Sequence, residues 1–260
     1  MGERLIRLTE PQRASALFEG WQETLIWSAL EGEMGCIWAL SENPKAALCE
    51  NADFLFLAGL ADEPETRLLL ECWRQEKGRF EILVPREKEC GAVIESVFPN
   101  AELENRYAFH KGGERFDRDA LQAMIAAVPD DVTIVPFDRS LYAQSLPHDW
   151  SRDFVSQFRD ADDYLKRGLG YAAVCNGEMV GGASSYTCYS KGIEIQVETR
   201  SDWQRRGIAS ACCAALILTC LERGLYPSWD AVNPASAALA KKLGYCEAGL
   251  YPVWYMDSQK

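Results

Sequence analysis

The sequence describes an α/β chain, an α+β arrangement with mixed sheets, and three features carry that reading. Stretches of helical apolar spacing alternate with short apolar or alternating runs from one end to the other. Asn176-Gly177 stands between two such runs, the dipeptide favoured in a two-residue hairpin turn. A polar, glycine-bearing loop joins an alternating strand, Gly192 to Arg200, to a long apolar helix, Ala211 to Arg223.

Taken in order, Leu17, Trp21, Ile26 and Leu30 are spaced for a helix from residue 10 to about 31, entered through Thr9-Glu10-Pro11. Gly35 to Leu40 and Phe54 to Leu60 read as strands, Glu65 to Lys77 as a helix ended by Gly78, and Arg79 to Val84 as a strand closed by Pro85. Glu87 to Phe98 is a helix, followed by a hairpin-like region ending in Arg106 to His110. Lys111 to Arg115 is glycine-containing and charged, which places a boundary there: an α/β domain over 1–115, a connector over 116–130 with a helix at Asp117 to Ala127, and a second domain over 131–260. In that second half, Val132 to Phe137 is a strand, Arg139 to Leu146 and Trp150 to Arg167 are helical, and Tyr171 to Cys175 pairs with Met179 to Tyr189. Along the next strand Ile193, Ile195 and Val197 alternate with Glu194, Gln196 and Glu198, giving one apolar and one polar face.

Composition narrows the function. With 48% apolar and 25% charged residues the chain is globular rather than disordered or coiled-coil. It has no run of some 18 apolar residues, and the opening Met-Gly-Glu-Arg-Leu-Ile-Arg-Leu-Thr-Glu alternates charge with apolar residues, so a cytoplasmic protein without membrane partners is expected. A net charge of -12 disfavours nucleic acid and suits cationic substrates, although it also serves solubility alone. The ten cysteines are scattered with no C-x-x-C pair, and the two histidines, His110 and His148, lie in neither an H-E-x-x-H nor a G-x-S-x-G context. No metal is expected, and the chemistry must proceed largely without imidazole.

Ser201 to Ser210 has the makings of an anion cradle. A helix begins with unpaired N–H groups and a partial positive charge, which attract phosphate. Gly207 allows a pyrophosphate close to the backbone, Ala209 keeps the entrance narrow, and Gln204, Arg205 and Arg206 add donors.

Gln204-x-x-Gly207-x-Ala209 at a strand-to-helix junction resembles the Q/R-x-x-G-x-G/A signature of the GNAT acetyltransferase superfamily. Downstream, Pro227-Ser228-Trp229-Asp230, then Asn233-Pro234-Ala235-Ser236, then Leu243-Gly244-Tyr245 resemble that superfamily's next strand, its Asn-x-x-Ser/Ala helix and the turn that follows. The Pro-Ser-Trp-Asp wording and Thr199 are most similar to the bacterial branch containing zwittermicin-resistance-type acetyltransferases. The likeness covers roughly Val132 to Met256.

The resemblance implies a GNAT fold in the C-terminal half, acetyl-coenzyme A as co-substrate, and an arm of that molecule lying against a splayed strand at Val197, Glu198 and Thr199. Gln204, Arg205, Arg206, Gly207, Ile208, Ala209 and Ser210 would hold the pyrophosphate, Asn233 would bond to the arm or the loop, and Ser236 would face the thioester. Asn233 reads equally as a helix N-cap. An alkylammonium near pKa ~10.4 must lose a proton before it can attack, so a base is needed. Glu194 and Glu198 on the polar strand face are the candidates, and a solvated strand face explains them as well. The tyrosine that many superfamily members use to protonate the leaving thiolate is matched here by Ala240.

Gly78 to Lys111 repeats the coarse order of Gly224 to Asp257, which a degenerate copy of the same fold and coincidental α/β alternation both explain. That half would pack on the other, shape an acceptor cleft or mediate a homodimer. Three functions stay open at this point: an N-acetyltransferase for a small-molecule amine, a coenzyme A-binding regulatory module without turnover, and an unrelated interaction scaffold.

Overall fold

The computed structural model describes residues 4–256. In chain order the elements are β1 (Ile6–Arg7), a 3-10 segment Pro11–Phe18, α1 (Thr24–Glu31), β2 (Cys36–Ala39), β3 (Ala47–Asn51), β4 (Phe54–Ala58), α2 (Pro64–Glu76), β5 (Ile82–Pro85), α3 (Gly91–Val97) and β6 (Ala101–Phe109). There follow α4 (Arg118–Ala126), β7 (Val132–Pro136), α5 (Arg139–Ser145), α6 (Asp149–Arg152), α7 (Ala161–Arg167), β8 (Gly170–Cys175), β9 (Glu178–Tyr189), β10 (Gly192–Thr199), α8 (Ile208–Arg223), β11 (Tyr226–Ser228), α9 (Pro234–Leu243) and β12 (Glu247–Met256). The mixed α/β class is as expected.

Two compact units result: one up to Arg106 together with the residues from Leu250 onward, the other Tyr107–Gly249. These limits differ from the expected 1–115, 116–130 and 131–260. The charged 111–115 stretch is bound into the second unit, where the Arg115 N–H donates to Gly244 O (2.8 Å) and the His110 N–H to Cys246 O (2.8 Å). The intended connector helix, α4, packs on α8 of that same unit through the buried Leu121.

In the first unit the sheet order is β1-β2-β3-β4-β5-β12-β6, so the chain's last strand lies between β5 and β6. Strand alternation gives the sheet two apolar faces. Leu48, Leu55, Leu57 and Leu83 pack with Leu69, Leu70 and Trp73 of α2, whereas Ile37, Cys49, Phe56 and Val84 pack with Phe18, Leu25 and Ile26. The helix expected over 10–31 is broken in two, because Gly20 takes φ +77° between the 3-10 segment and α1. Strand β3 escaped the sequence reading altogether.

In the second unit the order is β11-β10-β9-β8-β7. The β8–β9 hairpin turns on Asn176 (φ 51°) and Gly177 (φ 83°), both left-handed as a type I′ turn requires. Helix α8 is apolar on nearly every side, and Ala211, Cys212, Cys213, Ala214, Leu216 and Ile217 are buried between the sheet and α4. The expected Trp150 to Arg167 helix is two, α6 and α7, because Asp160 caps a new start by accepting from the Asp163 N–H. All ten cysteines are free thiols.

The chain runs twice through the same series, from β1 to β6 and from β7 to β12: a strand, helical segments, three strands, a helix, a strand, a helix and a final strand. This is the ordering expected of a duplicated fold, with β12 completing the first sheet.

Candidate functional site

Strand β10 pairs with β9 along its whole length, with one irregularity between Glu194 and Ile195 where β9 carries the extra residue Tyr186. On its other side it pairs with β11 only at Gly192↔Tyr226, Ile193↔Pro227 and Glu194↔Ser228. Residues Ile195 to Thr199 run on with no strand there among the described residues. The Arg200 N–H donates to Val180 O of β9, so by strand alternation the N–H and C=O groups of Ile195, Val197 and Thr199 face the open side. An extended ligand can dock on such an edge as an added strand.

The first unit closes the equivalent place. There β4 pairs with β5 through four residues, Phe54↔Ile82 to Leu57↔Pro85, and the Arg86 N–H continues the ladder to Leu57 O at 2.8 Å. The helix that follows, α2, begins with Pro64, and the Glu63 carboxylate accepts from the Glu65 N–H. Its entrance is already taken by an anionic side chain.

At the end of β10 the loop is built in the opposite sense. Arg205 (φ 64°) and Gly207 (φ 82°) are left-handed on either side of Arg206, a bend that gathers successive N–H groups on one side as in anion-binding turns. For Arg205 that conformation costs roughly 1–2 kcal/mol. Gly207 is the N-cap residue of α8 and supplies no side-chain cap. A Cβ placed on Gly207 would meet nothing within 4 Å, so its backbone is open to approach. Gln204 donates to Thr199 O (3.4 Å) and Arg206 lies over the Trp203 ring at 4.6 Å.

One contributor was not legible in the sequence. Lys242 of α9 donates to Ser210 Oγ in the first turn of α8 at 3.3 Å. A cation at the positive end of a helix is unfavourable unless an anion joins it. Lys242 thus brings a cation to the uncapped start of α8, just after Arg205 and Arg206 in the chain. The signal was only a lysine pair in Leu239-Ala240-Lys241-Lys242-Leu243, a pattern any exposed helix face produces.

A sequence model of the GNAT acetyltransferase family matches residues 15–254. The chain belongs to this family. The match takes in both units, as the repeated element order leads one to expect. The crystal structure of a GCN5-related N-acetyltransferase-like protein from Streptococcus suis is 40% identical, covers 95% of this chain and 98% of that one, and superposes with a TM-score of 0.86. An uncharacterized N-acetyltransferase from Bacillus subtilis, YdfB, is 24% identical over 130 residues, and the match spans about half the length of that curated relative, 49%. A tandem GNAT protein from the clavulanic acid biosynthesis pathway shares 11% identity over 99% of both chains with a TM-score of 0.58, a likeness of fold.

In this GNAT chain the other expected residues are placed as follows. Glu194 is buried rather than on a solvated strand face, 5% exposed beside Ser228. Glu198 is half-buried, and its carboxylate accepts from the Thr199 N–H (3.0 Å) at the open edge. The hydroxyl of Thr199 is buried without a partner and turned toward Gly181, and its main-chain N–H and C=O are held by Glu198 and Gln204. Ile208 is likewise buried and offers its N–H alone. Asn233 is the N-cap of α9, accepting from the Ser236 N–H at 2.9 Å. The Ser236 hydroxyl accepts from Trp229 Nε1 at 3.3 Å, so what it visibly does is hold a buried indole.

The tyrosines near the C-terminus are structural. Tyr245 is buried and donates to Pro227 O (2.8 Å), and burial pushes its pKa far up, with the charges of Tyr226 and other neighbours adding to it. Tyr251 and Tyr255 belong to the first unit, where Tyr255 Oη accepts from Arg106 (2.9 Å). Ala240 is fully buried. Among the described residues no His, Cys, Asp and Glu group could hold a metal, and no helix is long and apolar enough to cross a membrane.

Proposed function

We propose that this protein is an acetyl-coenzyme A-dependent N-acetyltransferase acting on a primary amine of a small polar or cationic acceptor. The observation that carries the reading is the opening of β10 from β11 after Glu194, ending in the uncapped start of α8. The edge groups of Val197 would receive the arm of the coenzyme, and those of Thr199 would do so on release from Glu198 and Gln204. The N–H groups of Ile208, Ala209 and Ser210, with Gln204, Arg205, Arg206 and Lys242, would hold its diphosphate.

When bound, the coenzyme supplies an activated acetyl thioester. The chain has to orient it, bring an amine to the carbonyl and take a proton from that amine. Alternation puts Glu194 and Glu198 on one face of β10, Glu194 where the strands part and Glu198 further along the open stretch, and either carboxylate can accept the proton directly or through water. A net charge of -12 favours the approach of a cationic acceptor.

A second reading, a coenzyme A-binding module without turnover, is favoured by Ala240, which brings no proton donor to the position matched with the superfamily's acid. Purified protein incubated with acetyl-coenzyme A and a panel of amines, with released thiol as the readout, separates the two. Acceptor-dependent thiol release supports the enzyme; saturable binding without release supports the module; absence of binding defeats both.

A further inference from the structure

The charged stretch after β6 is an ordered strap in the second unit. The His110 N–H donates to Cys246 O (2.8 Å), the Cys246 thiol to Gly113 O (2.9 Å), and the Arg115 N–H to Gly244 O (2.8 Å). Glu114 accepts from the Tyr226 hydroxyl of β11. Held in this way, Lys111 reaches β11 and donates from Nζ to Ser228 Oγ at 2.5 Å, with Trp229 O at 3.5 Å.

Ser228 is half of the last pair between β10 and β11, opposite Glu194. Paired residues on neighbouring strands point to the same sheet face, so Lys111 brings its ammonium to the face that carries Glu194 and to the apex of the opening. The titratable groups on the elements that meet there are Glu194 on β10, Tyr226 on β11, Asp230 just after it, Glu114 on the strap and Tyr245, whose hydroxyl donates to Pro227 O. Resting on the acetyltransferase reading above, the apex is where a thioester at the end of an edge-bound arm arrives. The position of α9 matched with the superfamily's acid is Ala240, which has no proton to give.

We propose that Lys111 is the proton donor to the departing thiolate, the role left vacant at Ala240. The amine nitrogen forms a bond to the acetyl carbon, the C–S bond breaks, and its electron pair goes to sulfur. Sulfur takes a proton from Lys111 Nζ. The proton shed by the attacking amine goes to the carboxylate of Glu194 or Glu198, and passes from there through water to the neutral Lys111, restoring the starting state.

The test uses free coenzyme A, acetyl-coenzyme A and the intact protein with Lys111→Met, Lys111→Gln and Lys111→Arg. An ammonium at the sulfur stabilises thiolate, so the bound coenzyme A thiol, followed by thiolate ultraviolet absorbance, should titrate about one pH unit lower in wild type than in Lys111→Met or Lys111→Gln. With an active acceptor, kcat should fall about 100-fold in those two variants, the KM for acetyl-coenzyme A should change little, and Lys111→Arg should recover part of kcat. Coenzyme A affinity within a few-fold of wild type certifies that a variant is folded. An identical thiol titration in wild type and in both neutral variants overturns the proposal, whatever the turnover. Wild type that binds no coenzyme A overturns the acetyltransferase reading and this proposal with it.

Discussion

Glu194 on β10 and Ser228 on β11 face one another as the final pair of two parallel strands, and beyond them β10 continues to Thr199 with one edge open. The first unit offers the comparison within the same chain. Its β4 and β5 stay paired to Leu57 and Pro85, and its helix entrance is filled by Glu63. One unit keeps the opening and the cradle; the other has neither.

The two carboxylates on β10 should separate on mutation. Glu194 is buried beside the last strand pair, whereas Glu198 is tied to the Thr199 N–H on the open edge. Replacing the proton-accepting carboxylate with Gln should lower kcat by about 100-fold with little change in coenzyme affinity. Steady-state kinetics of Glu194→Gln and Glu198→Gln checks this, and full activity in both would remove the carboxylates from the reaction.

Lys242→Met should weaken coenzyme A binding about tenfold and reduce its dependence on salt, because a cation is lost from the diphosphate cradle. The melting temperature without ligand should stay level or rise slightly, since the mutation takes positive charge from the start of α8. Calorimetry at two ionic strengths together with a thermal melt reads both effects. Unchanged affinity would show that Lys242 serves only Ser210.

Asp163 gives a pH dependence of stability. Hydrogen bonds from Arg167, at 2.8 Å to each carboxylate oxygen, hold its pKa down to about 2. A carboxylate whose pKa is lower folded than unfolded stabilises the protein fully above the unfolded value, ~3.9, and loses that contribution as the pH falls from there toward 2. The pair lies partly in solvent, so about 1 kcal/mol is expected. Asp163→Asn should therefore lower stability at pH 7 and flatten the decline between pH 4 and 2 in denaturant titrations.

Trp254 should show that the last strand is integral to the first unit. It pairs with Leu83, its ring is buried, and a Cβ on Gly91 would come within 2.8 Å of it. Trp254→Ala should cost about 3–5 kcal/mol in chemical denaturation. A loss below 1 kcal/mol would mean that β12 is dispensable there.

Much of this was readable in the residues because it is local. The Asn176-Gly177 turn, the alternation along β10 and the Gln204 to Ala209 loop depend on backbone conformations that a few neighbouring side chains decide. The place of β12 between β5 and β6 was not readable, since apolar alternation shows that a strand has a buried face but not which strand it joins. Lys111 was hidden for a related reason. A charged, glycine-containing stretch looks like a linker until the contacts that fix it, from Cys246, Gly244 and Tyr226, are brought from more than a hundred residues away.

Calorimetric titration of coenzyme A into wild type and Gly207→Val tests the central claim most directly. A Cβ on Gly207 meets no protein atom within 4 Å, but a side chain there strains a backbone at φ 82° and would cover the N–H groups of the cradle. Saturable binding to wild type, weakened at least tenfold in a Gly207→Val protein that still unfolds cooperatively, is the result expected. Equal affinity in the two proteins would contradict it.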